Sequence, residues 1–125
     1  MGITFLQVAL GGAAGAVCRY ATGLAAVRLA GQGFPWGTVA VNVLGSFLMG
    51  VLVVVLVNIA DNRLAPLLLT GFLGGFTTFS AFSLDAVTLF ERGQTGLAAG
   101  YVLGSVFLSI AALFAGLALA RSILS

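Results

Sequence analysis

Polar side chains are scarce in this chain, and the few present recur at helical spacing. Thr38, Asn42 and Ser46 stand at i, i+4 and i+8, and Tyr101, Ser105 and Ser109 repeat the pattern. Residues four apart share one face of a helix, so each set forms a stripe of hydroxyl and amide groups. A single stripe is a weak signal, because Ser and Thr also bond their own helix backbone. Two stripes describe a narrow path rich in hydrogen-bond donors. Neither carries a carboxylate. A path of donors without a titratable acid suits a small anion better than a cation.

A second unusual stretch is Gly71 to Phe82, GFLGGFTTFSAF, set inside an otherwise apolar segment. Adjacent glycines weaken a helix by roughly 1 kcal/mol each relative to alanine, and the hydroxyls that follow can satisfy backbone groups that a break leaves open. Non-helical backbone at membrane depth is tolerated only where protein buries it or where it lines a wet cavity. The stretch reads as a broken membrane helix with carbonyls exposed at the break. The blander reading is a flexible helix with glycine packing faces.

Arg19 and Asp85 are the ionisable residues well inside apolar segments, where charges are costly and face protein or water. Both lie past the midpoints of segments that run in the same direction, so an Arg19–Asp85 pair is geometrically possible. Attraction of an anion by Arg19 in a vestibule is the alternative. The chain has no histidine and no lysine, which removes the usual general bases and most metal chemistry, and an enzyme is not expected. Cys18 stands alone in an apolar segment and reads as a small core residue.

The elements that must position these groups follow from composition. Hydrophobic residues make up 61% of the 125 and charged residues 6%, against about 25% charged in a soluble domain. A soluble protein of this size could not bury that much apolar surface, so the expectation is one all-α integral membrane domain over residues 1–125. Four apolar segments, about 4–29, 37–58, 64–90 and 95–124, each exceed the roughly 20 residues that cross the hydrocarbon core. The first lacks a charged leader and is expected to remain as a span. Short connections carrying Gly31, Gly33 and Pro35, then Asp61, Asn62 and Pro66, then Gly93 make neighbouring spans antiparallel. Trp36 and Tyr20 are candidate interfacial residues, although Tyr20 could face inward. Gly11 with Gly15, Gly71 with Gly75, and the series Gly96, Gly100 and Gly104 have the spacing of close helix packing.

The arginines bear on topology. With four spans, Arg63 and Arg121 fall on one side of the membrane and Arg28 and Arg92 on the other. Positive charge in short flanking loops normally sets orientation, so a balanced chain is expected to insert both ways. Four helices are also few for enclosing a path. Both points favour an antiparallel, dual-topology homodimer, related in design to the inverted repeats of transporters.

Three motifs match one family in order: GGAAGAVCRY at Gly11–Tyr20, GTVAVNVLGSFLMG at Gly37–Gly50 and GFLGGFTTFSAF at Gly71–Phe82. On these the chain resembles the Fluc/CrcB fluoride channels along almost its whole length. The resemblance implies a dual-topology homodimer in the inner membrane that passes fluoride by passive electrodiffusion and lowers its cytoplasmic level, with two pores per dimer. It implies a third helix broken at the membrane centre, where the backbone carbonyls of Gly74 and Thr77 hold a structural Na⁺ on the two-fold axis. Phe79 and Phe82 match the aromatic residues that meet fluoride. Asn42, Tyr101, Ser105 and Ser109 match the polar residues beside them, Arg19 matches an arginine near the pore entrance, and Thr38 extends the same path. One departure is Ala81, where the family commonly has a hydroxyl, so any such role is taken by Ser80 or Ser83 or is absent. Aromatic ring edges are electropositive, which allows Phe79 and Phe82 to meet an anion edge-on; outside this context such rings would read as core filling.

Two rivals come from other classes. A proton-coupled exporter of small multidrug or guanidinium type needs a carboxylate deep in the membrane, usually in its first helix, where this chain has Arg19. A non-transporting accessory protein would explain the glycines but not the polar stripes.

Overall fold

The structure, a computed structural model, describes residues 2–60 and 62–124; Asp61, read above as a turn residue, lies outside them. The regular structure of the described residues is all helical, with no strand among them. Helix α1 covers Gly2–Ala30 and α2 covers Trp36–Asn58. The third span comes in pieces: a π-helical segment Pro66–Leu73, one α turn α3 (Gly74–Phe76), and α4 (Phe79–Glu91). Helix α5 covers Thr95–Leu124. Among the described residues, four spans are long and apolar enough to cross a membrane.

The ends obey local chemistry. Gly31 (φ +80°) and Gly93 (φ +81°) adopt the left-handed conformation that stops a helix without a Cβ penalty. After α4 the Gly93 N–H bonds the Phe90 carbonyl and the Gln94 N–H bonds that of Leu89, both at 3.0 Å, the paired closure of a Schellman motif. Pro66 does not sit in the loop but opens the π-helical segment, where a missing N–H costs nothing.

Packing is organised by glycines at two crossings. Along the first, α1 lies against the third span: a Cβ on Gly71 would stand 3.1 Å from Gly11 Cα, and one on Gly75 3.1 Å from Gly12 Cα. Along the second, α2 crosses α5: a Cβ on Gly116 would stand 3.1 Å from the Val51 nitrogen, and one on Gly50 2.9 Å from that of Leu117. Helix association in lipid rests on such backbone approach. By contrast, Gly96, Gly100 and Gly104 face open space in this subunit, so their spacing does not mark a packing surface within it. Cys18 is exposed, not a core residue. Tyr20 also faces outward, whereas Tyr101 is buried at 1% exposure.

Candidate functional site

The helical hydrogen-bond ladder of the third span stops at Thr77 and Thr78, whose backbones are extended (φ −86°, ψ 160° and φ −152°, ψ 126°). Two side-chain contacts account for what happens to the backbone there. Asn42 bonds both backbone groups of one residue: its Nδ2 donates to the Thr78 carbonyl (3.0 Å) and its Oδ1 accepts from the Thr78 N–H (2.8 Å). The Thr78 hydroxyl then caps α4 by accepting from the Ala81 N–H at 3.1 Å.

Carbonyls are released as a result. In an uninterrupted helix the Thr78 N–H would close onto Gly74 and the Ala81 N–H onto Thr77. Both donors are engaged elsewhere, so the Gly74 and Thr77 carbonyls have lost their helical partners. The Thr77 hydroxyl does not compete for this role, since it donates to the Leu73 carbonyl at 2.9 Å. Gly74 is exposed on the subunit surface. Of the two carbonyls between them in sequence, that of Gly75 accepts from Arg19 Nε at 3.0 Å.

Beside the break lies a cavity of about 440 Å³, lined by Asn42, Thr78, Phe79, Phe82, Ser105 and Ser109 among others. The Phe79 and Phe82 ring centroids are 5.6 Å apart. Phe82 is buried at 9% exposure, while Phe79 projects outward at 77%. Ser105 is the notable polar member. Its hydroxyl is buried and has no hydrogen-bond partner, not even the helix carbonyl one turn back that a membrane serine usually takes. Asn42, with one N–H engaged at Thr78, retains a second. The cavity thus holds uncommitted donors on Asn42 and Ser105 and two aromatic rings. Ser80 sits 3.4 Å from the Thr78 hydroxyl, and Ser83 donates to its own helix at Phe79.

A second cavity of about 390 Å³ is lined by Phe34, Trp36, Thr38, Asp85, Thr88 and Arg92 together with the loop that joins α1 to α2. One lining residue of this second cavity, Asp85, revises the picture of donor stripes free of acid. Asp85 Oδ2 accepts from Thr38 Oγ1 at 2.7 Å and from Tyr101 Oη at 3.1 Å. The first residue of each stripe therefore directs its hydroxyl to a carboxylate. The donors that remain lie further along the stripes, beginning one turn on with Asn42 and Ser105. Asp85 was invisible as a member of the path because it belongs to the third span, while the stripes lie on the second and fourth. Asp85 and Arg19 make no ion pair among the described residues; each has a different partner.

A family model described as "CrcB-like protein, Camphor Resistance (CrcB)" matches residues 6–117. The chain belongs to the CrcB-like family. Among curated relatives of this CrcB-like chain, a protein of Cereibacter sphaeroides named "Fluoride-specific ion channel FluC" is 67% identical over 118 residues, covering 94% of each chain. Proteins of the same name from Agrobacterium fabrum (97% of this chain, 98% of the relative) and Paracoccus denitrificans (96% of each) are both 57% identical. The CrcB-like chain is a multi-pass membrane protein.

Further residues of this CrcB-like chain matter that spacing did not single out. A Cβ on Gly45 would collide with the Thr77 methyl, so this glycine allows α2 to approach the break closely enough for Asn42 to grip it. The stripe partner Ser46 lines the first cavity as well. The close pair Gly45-Ser46 in the second motif was the available signal.

Proposed function

We propose that this chain is a fluoride channel of the inner membrane, not an enzyme, and that it conducts F⁻ passively through the cavity beside the third-span break. The observation that carries this is the buried, unpartnered Ser105 hydroxyl. A buried polar group without a partner costs roughly 1–3 kcal/mol, and here it lines a cavity with the spare N–H of Asn42 and the rings of Phe79 and Phe82. Fluoride is small and strongly hydrated, so a path must replace water with donors and positive ring edges. Those four residues are the ones assigned to that task, with Ser109 and Ser80 further along it, and Thr38 and Tyr101 at its Asp85 end.

The working unit in this reading is an antiparallel homodimer. The two-against-two arginine distribution and the outward projection of Phe79 support it, since a ring 77% exposed on the subunit gains a second wall only from a partner. The Gly74 and Thr77 carbonyls, freed of helical donors, have the oxygen chemistry that a dehydrated monovalent cation requires. Together with their counterparts across the two-fold axis they would hold a structural Na⁺, which supplies positive potential near the path and is not itself conducted.

Expression in a bacterial strain that lacks its own fluoride export tests the function. Growth in fluoride medium should be restored, with no gain of resistance to guanidinium. Failure to restore growth by a protein that reaches the membrane, or resistance to guanidinium instead, overturns the proposal in favour of the exporter class.

A further inference from the structure

We propose that Arg19 is the positioning residue of the break, an internal cation that takes the Gly75 carbonyl and so determines which carbonyls remain for sodium. This rests on the sodium site proposed above. Gly11, Gly15 and Arg19 follow one another at i, i+4 and i+8 along α1, so they share a face. The glycines bring that face onto the third span: a Cβ on Gly15 would stand 2.8 Å from the Phe76 nitrogen. One turn beyond, Arg19 is carried to the break, where Nε donates to Gly75 at 3.0 Å.

The break withdraws the helical donors of four consecutive carbonyls, those of Gly74, Gly75, Phe76 and Thr77. That of Gly75 goes to Arg19, Asn42 holds the backbone of the next residue, Thr78, and the Gly74 and Thr77 oxygens are the proposed sodium ligands. A guanidinium stays charged at any working pH, and a charged donor makes the stronger class of hydrogen bond. Asp85 is held by Thr38 and Tyr101 and does not neutralise it. Arg19 therefore anchors the α3 turn to α1, while Asn42 holds Thr78 to α2. Without it the Gly75 carbonyl is a further orphan, the turn can rotate, and the Gly74 and Thr77 oxygens lose their fixed direction.

The test is the thermal unfolding of purified, full-length protein titrated with NaCl, with N-methyl-D-glucamine chloride holding ionic strength constant. The wild type should be stabilised by sodium with a defined half-saturating concentration. Arg19→Gln should raise that concentration roughly tenfold or more, the scale of losing a charged hydrogen bond. Arg19→Lys keeps the charge without the planar fork and should shift it less, in the same direction. Gly50→Ala, at the crossing of α2 with α5 and touching no residue of the third span, should lower the unfolding temperature at every sodium concentration without moving the half-point. If Arg19→Gln behaves like Gly50→Ala, or binds sodium more tightly, Arg19 is not a positioning residue. If Arg19→Gln does not fold, an unmoved half-point in Arg19→Lys overturns the proposal equally. A wild type with no sodium dependence refutes the sodium site and this proposal together, and leaves fluoride conduction standing.

Discussion

At the scale of single residues, the path depends on how few donors are uncommitted. Ser105 contributes a hydroxyl with no other partner, so Ser105→Ala removes a donor without breaking a structural bond. Fluoride flux should fall about tenfold, for an interaction of roughly 1.4 kcal/mol, while the unfolding temperature stays the same or rises. Asn42 differs because it also grips Thr78; Asn42→Ala should lose both flux and stability. For Phe79 and Phe82, isoleucine keeps apolar bulk but removes the electropositive ring edge. Each isoleucine variant should assemble and conduct at least about tenfold less, whereas methionine, with its polarizable thioether, should retain more flux. Isoleucine variants that conduct at the wild-type rate would reduce the rings to packing residues and leave Asn42, Ser105 and Ser109 to form the path. These are measurements of fluoride efflux on purified variants, paired with thermal unfolding.

At the scale of elements, the third span is the part that does not follow a regular helix, and its geometry is maintained by its neighbours. Thr77 offers the proposed sodium site its backbone oxygen only, since its hydroxyl bonds Leu73. Thr77→Ala should therefore largely retain sodium-dependent stabilisation, while Gly74→Val, placing bulk beside the other proposed oxygen, its own, should abolish it. The glycine crossings make a second prediction. Gly50→Ala drives a methyl against the Leu113 carbonyl of α5 and should cost about 1–3 kcal/mol, as overpacking does. Gly96→Ala meets open space and should gain up to about 1 kcal/mol of helix propensity. Thermal unfolding distinguishes the two.

Much of this level was legible in the chain. The i, i+4 stripes identify Asn42 and Ser105 because a straight helix preserves that spacing, and the Gly-Gly-Phe-Thr-Thr run coincides with the two extended residues. What was not legible depends on partners distant in sequence. Thr38 and Tyr101 read as free donors until Asp85, 47 and 16 residues away from them, is brought between them. Arg19 read as a pair for Asp85 or a lure for anions, yet it bonds a backbone carbonyl, which has no signature in the side-chain sequence. The π-helical register of Pro66–Leu73 and the Gly50–Gly116 crossing are likewise properties of how two elements meet.

At the scale of the whole molecule, the open questions are assembly and transport. Large apolar side chains such as Phe107 and Phe114 face outward (68% and 67% exposed), as lipid or a second subunit requires. With arginines balanced across the membrane, insertion should occur in both orientations. A single cysteine near Asn62, on a background with Cys18 replaced, should be labelled from both sides by an impermeant reagent. Complete labelling from one side alone would exclude dual topology. The most direct measurement is passive efflux of halides from vesicles reconstituted with the pure protein, the membrane potential clamped and no proton gradient applied. A fluoride channel of this design releases fluoride rapidly and retains chloride, and Ser105→Ala slows the fluoride release. Release of chloride at a comparable rate, or fluoride release that appears only with a proton gradient, would contradict it.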